Sequence, residues 1–310
     1  MDPITRDDVT AAAARIEGLV RRTPVITIEG EALGLDHEVV CKLELLQATG
    51  SFKARGASSL LTGVDVPPAG VVAASGGNFG AAIAWAARRL GVPATIFVPD
   101  TSSATKLERL RSFADRVEVV PGYYAQALEA SRAHVAATGA LLAHAYDQPE
   151  VVAGQGTCAV ELDEQADLDT LLVAVGGGGL IGGIATWYAG RVRVVAVETE
   201  RCPTLHAALA AGRPVDVAVG GIAADALGAA RIGRLGLAAV QAHVAASLLV
   251  DDQAVIEAQR RLWAATRLVA EPAGAAGLAA LTAGAYRPEP GERVGVVVCG
   301  ANTDPSTVAG

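Results

Sequence analysis

Short β-branched runs alternate along this chain with alanine-rich stretches of helical period. The runs at 38–43, 71–74, 94–98, 117–120, 170–175, 192–197 and 294–299 have the length of buried strands. Between them, 78–90, 104–113, 125–138, 180–188 and 251–266 predict helices. A strand followed by a helix, repeated in this way, predicts an α/β fold with mostly parallel sheets flanked by helices. No internal repeat or low-complexity linker divides the chain. Crossings are expected at 64–68 and at the Gln148–Pro149 step, where proline interrupts the pattern. They predict two lobes: a large one from 1–61 and 148–310, and a small mobile one from 62–147.

The stretch 78–90 shows the local logic. Gly76 and Gly77 permit a tight turn, Asn78 can cap, and AAIAWAARRL then runs unbroken to Gly91. Arg88 and Arg89 near its end complement the helix dipole. Its first amides would face whatever lies beyond the 71–74 strand, which makes an anion site.

Composition narrows the class. With 310 residues, 51% hydrophobic and 19% charged, the chain can bury a full core, which excludes a disordered protein. A net charge of −8 without any long basic run argues against nucleic acid or an anionic membrane as partner. Cys41, Cys158, Cys202 and Cys299 lie far apart, without metal-ligand spacing, and read as buried thiols. The N-terminal MDPITRDDVT carries acids and no apolar segment, and no apolar stretch reaches membrane-spanning length. A cytoplasmic protein is expected.

Four segments carry candidate chemistry. Lys53, in TGSFKARGA, follows an aromatic and precedes small residues, so desolvation could lower its pKa and free the amine for Schiff-base formation. On its own it reads more readily as an ordinary solvated lysine. Gly176 to Gly179 join a strand to a helical stretch at Leu180, where consecutive amides can converge on a phosphate. The same run contains a formal G-x-G-x-x-G, with Glu198 as the acid a dinucleotide site would need, so spacing alone leaves both readings open. ASGGNFG (74–80) offers amides to a carboxylate, and Cys299 ends the last strand.

Together these pieces resemble one family. TGSFKARGA, ASGGNFG, AGQGT (153–157), GGGGL, EPAG (271–274) and CGANTDP occur in the order found in fold-type II pyridoxal-phosphate enzymes, the tryptophan synthase β-like fold. Within them the serine/threonine dehydratases, related to serine racemase, are most similar. The resemblance implies a two-lobed enzyme that eliminates water from L-threonine, L-serine or a related β-hydroxy amino acid, giving a 2-oxo acid and ammonia. It implies pyridoxal 5'-phosphate held by Lys53 as a Schiff base, with Lys53 then acting as base at Cα. Phe52 would pack on the ring, Asn78 would bond its phenolic oxygen, Gly176, Gly177, Gly178, Gly179 and Leu180 would hold the phosphate, and Cys299 would face the pyridine nitrogen. A thiol there leaves the ring a weaker electron sink than a carboxylate would, which suits prompt loss of a β-leaving group. Ser51, Ser75, Gly76 and Gly77 would bind substrate, and a homodimer is implied. The core uses the chain's length, so no isoleucine-binding regulatory domain is expected.

The chain also departs from its relatives. Racemases of this family place a serine at the position of Gly76, so two-base racemisation is disfavoured. β-Replacement is the other alternative, and O-acetylserine with sulfide discriminates it. Phe79 and Tyr146 replace smaller or polar residues near the expected substrate, which suggests a larger β-substituent such as that of phenylserine. Glu198 fits the first ligand of a mono- or divalent cation site, but Thr204 stands where a further acid is expected.

Overall fold

The computed structural model describes residues 2–309. Ten strands form two sheets: β1 (Val25–Ile28), β2 (Val39–Lys42), β3 (Val71–Ala74), β4 (Ala94–Pro99), β5 (Arg116–Val120), β6 (Leu141–Ala143), β7 (Thr170–Ala174), β8 (Arg193–Thr199), β9 (Val244–Val250) and β10 (Val294–Val297). The larger sheet has the order β1-β2-β10-β7-β8-β9, and the smaller β5-β4-β3-β6. Every pairing is parallel except β1 with β2. The interior strands β3, β7 and β10 are buried along their whole length, as strands covered by helices on both faces must be. Because the strands run parallel, their C-terminal ends gather on one side of each sheet, where open α/β sheets bind ligands.

Helix Lys53–Gly63 packs against both Pro149–Gln165 and Asn78–Leu90, so it stands between the elements of the two sheets. Small residues make these crossings possible. A Cβ on Gly154 would stand 2.5 Å from Ser59 Cβ, and one on Gly156 only 2.8 Å from the Gly183 carbonyl oxygen.

A buried ion network fixes the same helix. Arg55 bonds Glu44 Oε1 at 2.7 Å and Glu161 Oε1 at 2.7 Å. Lys42, at the end of β2, donates to Glu161 Oε2 at 2.7 Å and to the Thr23 carbonyl at 2.8 Å. Four charged side chains thus satisfy one another, and three of them, Lys42, Glu44 and Arg55, are buried although their residue types rarely are. Since Arg55 lies two residues beyond Lys53, this network also sets where Lys53 begins its helix. No helix among the described residues is long and apolar enough to cross a membrane.

Candidate active site

The site begins where the last strand of the large sheet ends. Ser51 forms an antiparallel bridge with Gly300, the Phe52 amide donates to the Cys299 carbonyl at 3.0 Å, and the Ala301 amide donates to the Gly50 carbonyl at 2.9 Å. This short ladder brings Lys53 beside Cys299 although 246 positions of sequence separate them. Lys53 Nζ donates to the Ala145 carbonyl at 3.1 Å and lies 4.9 Å and 5.8 Å from the ring centroids of Phe52 and Phe79. Burial lowers its pKa to about 8, against the opposing influence of Cys299 and Glu271. Burial, aided by Glu271, pushes the Cys299 thiol well above its ordinary pKa, so it stays protonated. Ser51 Oγ is buried with no hydrogen-bond partner among the described residues.

Asn78 opens its helix with both ends of its amide held. Its Nδ2 donates to Glu271 Oε1 at 2.8 Å, and its Oδ1 accepts from Asn302 Nδ2 at 2.6 Å. One N–H of that amide is left for another acceptor. Glu271 is buried, which pushes its pKa up to about 7 against the Asn78 bond and the Arg109 charge. Gly76, Gly77 and Asn78 line a cavity of about 50 Å³ together with Lys106, Arg109, Asp225, Glu271 and Asn302.

On the other side, β7 runs into Gly176–Gly179, and helix Gly179–Tyr188 starts there. Gly178 has φ +90°, and a Cβ on Gly177 would stand 2.2 Å from the Tyr146 ring. The loop's amides therefore sit at a helix N-terminus with no side chains of their own and with the Tyr146 ring packed against Gly177, a cradle that can take a phosphate. The Leu180 side chain is buried in the core, leaving only its main chain for such a role.

Tyr146, Phe79 and Glu198 are each engaged by neighbours of their own. Tyr146 packs on the glycine loop and donates its hydroxyl to the Arg231 carbonyl at 3.1 Å, away from the Gly76–Asn78 cavity. Phe79 is buried in the core of the smaller sheet, with only its ring edge near Lys53. Glu198 accepts the amides of Leu205 at 2.6 Å and His206 at 2.8 Å, so both its oxygens hold the start of helix Thr204–Ala211. Thr204 donates to the Ala229 carbonyl at 2.6 Å. No group of three His, Cys, Asp or Glu that could hold a metal comes together among the described residues, and both Glu198 oxygens are engaged by amides.

An enclosed amine of lowered pKa, a glycine phosphate cradle, an oriented amide and an orphaned buried hydroxyl converge on one place. This donor set fits pyridoxal phosphate. Residues 16–300 match the model of the pyridoxal-phosphate dependent enzyme family. The chain belongs to that family. It is 33% identical to the L-threonine ammonia-lyase of Thermotoga maritima over 97% of this chain and 76% of that protein. It is 36% identical to the L-threo-3-hydroxyaspartate ammonia-lyase of a Pseudomonas species over 96% of this chain and 95% of that one. Maize serine racemase superposes with a TM-score of 0.93 at 31% identity, covering 99% of this chain and 96% of that one. As a pyridoxal-phosphate enzyme with these relatives, the chain is a lyase acting on hydroxy amino acids.

Sequence reasoning gave no role to Glu271, Asn302, Lys106 or Arg109. The first two stand inside the matching EPAG and CGANTDP segments, so a signal was present. Lys106 and Arg109 lie in ATKLERLRSF, which reads as an ordinary solvated helix face.

Proposed function

We propose that the enzyme removes water from the small β-hydroxy amino acids L-threonine and L-serine, releasing a 2-oxo acid and ammonia. The observation that carries this reading is Lys53, an enclosed amine with pKa near 8, set between the phosphate cradle and the Asn78 loop. The amine would hold the cofactor, Gly176–Gly179 its phosphate, Asn78 its phenolic oxygen and Cys299 its ring nitrogen. When bound, pyridoxal phosphate draws electrons from the substrate's Cα and acidifies the Cα–H bond.

The chain's own residues do the rest. The amides of Gly76 and Gly77 hold the substrate carboxylate at the helix N-terminus, which fixes which bond at Cα faces Lys53. Lys53, once free, takes the Cα proton, and a base with pKa near the working pH both accepts and returns a proton efficiently. The Cβ–O bond breaks and hydroxide leaves, taking a proton to become water. The enamine then takes up water at Cα, so threonine ends as 2-oxobutyrate and ammonia, with no net gain or loss of atoms. Gly76 has no side chain to act as a base from the opposite face, which favours elimination over racemisation. The protein is proposed to act as a homodimer in the cytoplasm.

The decisive experiment is 2-oxo acid formation from L-threonine and L-serine by cofactor-loaded protein, with Lys53→Ala as control. Release of 2-oxobutyrate or pyruvate that the control lacks is expected. Cofactor binding without any oxo acid from either substrate would sink the proposal for these two substrates.

A further inference from the structure

The cavity beside the carboxylate loop is lined by two cations, Lys106 and Arg109, and two acids, Asp225 and Glu271, and the donors of Arg109 are not all used. Its inner wall already offers the Gly76 and Gly77 region to the α-carboxylate. Across from it, helix Ala104–Phe113 presents Lys106 and Arg109, three residues apart and therefore on one face. Lys106 Nζ lies 2.8 Å from Asp225 Oδ2, whose side chain is largely exposed, so this pair is weak and exchangeable. Arg109 has no carboxylate within ion-pair distance among the described residues. Its Nη2 donates to the Thr49 carbonyl at 2.7 Å. Glu271 is close enough to influence it electrostatically, but the Glu271 Oε1 atom is taken by Asn78.

A guanidinium has five N–H donors in a rigid fork suited to a carboxylate, and one carbonyl leaves most of them unused. Burial works against its charge, so a partly buried arginine facing a cavity is a site that an anion completes. The cavity is about 50 Å³, room for a group of few atoms and not for an aromatic ring. This weighs against the phenylserine-like side chain that Phe79 and Tyr146 suggest, both of which the structure places outside the cavity lining.

We propose that Arg109, assisted by Lys106, binds a second carboxylate carried on the substrate's β-carbon, so that the preferred substrate is a β-hydroxy dicarboxylic amino acid. This rests on the elimination reading above. For 3-hydroxyaspartate the Cα–H and Cβ–O bonds break, hydroxide leaves as water, and one water returns at Cα. The products are oxaloacetate and ammonia, whose atoms sum to the substrate.

The test uses the holoenzyme with L-threo-3-hydroxyaspartate, L-threonine and L-serine, and compares wild type with Arg109→Gln and Lys106→Ala. Wild type is expected to show at least tenfold higher kcat/KM for 3-hydroxyaspartate than for serine. Arg109→Gln lowers that value about a hundredfold, mainly through KM, and changes serine turnover less than threefold; Lys106→Ala gives a smaller loss of the same kind. L-Aspartate, which lacks the hydroxyl, inhibits wild type competitively far better than L-alanine does, and Arg109→Gln abolishes the difference. If Arg109 only ties its helix to Thr49, the variant lowers turnover of all substrates equally, which overturns the inference. Turnover of threonine and serine but not of 3-hydroxyaspartate overturns it and leaves the elimination reading intact. Failure on all three, with cofactor bound, removes both.

Discussion

At the scale of single residues, the site works by moving protons between groups that burial has detuned. Lys53 attacks the cofactor only as a neutral amine, and a pKa near 8 makes that form abundant just above neutrality. Reconstitution of the apoprotein should therefore accelerate as pH rises through about 8 and level off above it, read by the appearance of cofactor absorbance bound to protein. A rate that keeps climbing toward pH 10.5 would mean that Lys53 is solvated. Lys53, Asn78 and the four glycines could be singled out in the sequence because each sits in a local pattern, the lysine after an aromatic and the others where a strand turns into a helix. Arg109 could not. A helical arginine announces its surroundings only once the Thr49 loop and the Asn78 helix are folded against it. The contacts of Tyr146 were hidden for the same reason: its neighbours Gly177 and Arg231 come from distant segments.

Legibility of elements did not follow length or burial alone, since the 17-residue helix Pro149–Gln165 and the buried helix Pro272–Thr282 went unread. Helices Asn78–Leu90 and Ala104–Phe113 occupy the residues their periodicity predicts, and β3 does the same. The strands that went unread are β1, β6 and β9. The first is a four-residue edge strand, the second has only three residues, and the third is a half-exposed edge whose paired alanines hide any alternation. Helix Lys53–Gly63 was also unread, since its first residues belong to a motif that chemistry explains without it. Its stability depends on Arg55. Replacing Arg55 by methionine leaves the buried Glu44 without its cation and Glu161 with Lys42 alone, and should cost about 3–5 kcal/mol in urea denaturation. A loss below about 1 kcal/mol would mean that water reaches these carboxylates.

For the whole molecule, the α/β class and the two groups of strands were legible from alternation, while the packing of one group on the other was not, since it is made by side chains such as Lys106, Arg109 and Asn78 that no pattern pairs in advance. Its stability should have an unusual pH profile. Burial raises both Glu198 and Glu271 to about 7, above the carboxylate value of 4.5. Their contribution is fully present below 4.5 and is lost as pH rises through about 7. Lys53 acts in the other direction, since a value lowered to about 8 contributes stability above 10.5 that is lost as pH falls through about 8. The apoprotein should be least stable between about 7 and 8, and Glu198→Gln should flatten the acid side by on the order of 3 kcal/mol. Equilibrium denaturation at pH 5.5, 7.5 and 9.5 checks this; a maximum at 7.5 in the wild type would contradict it. The strands of the smaller sheet all fall between residues 71 and 143, and the chain that leaves the Lys53 helix at Gly63 does so beside Glu150, on the helix by which it returns, where a Cβ on Gly63 would lie 3.1 Å from Glu150 Cγ. Entry and exit are thus neighbours, as they are where one module has been spliced into another. A cassette joined at adjacent points can be exchanged with little disturbance to its host. Since Lys106 and Arg109 travel with that cassette while Lys53, Cys299 and the glycine loop stay behind, recombination at this junction would exchange the proposed second-carboxylate site without touching the residues proposed to hold the cofactor.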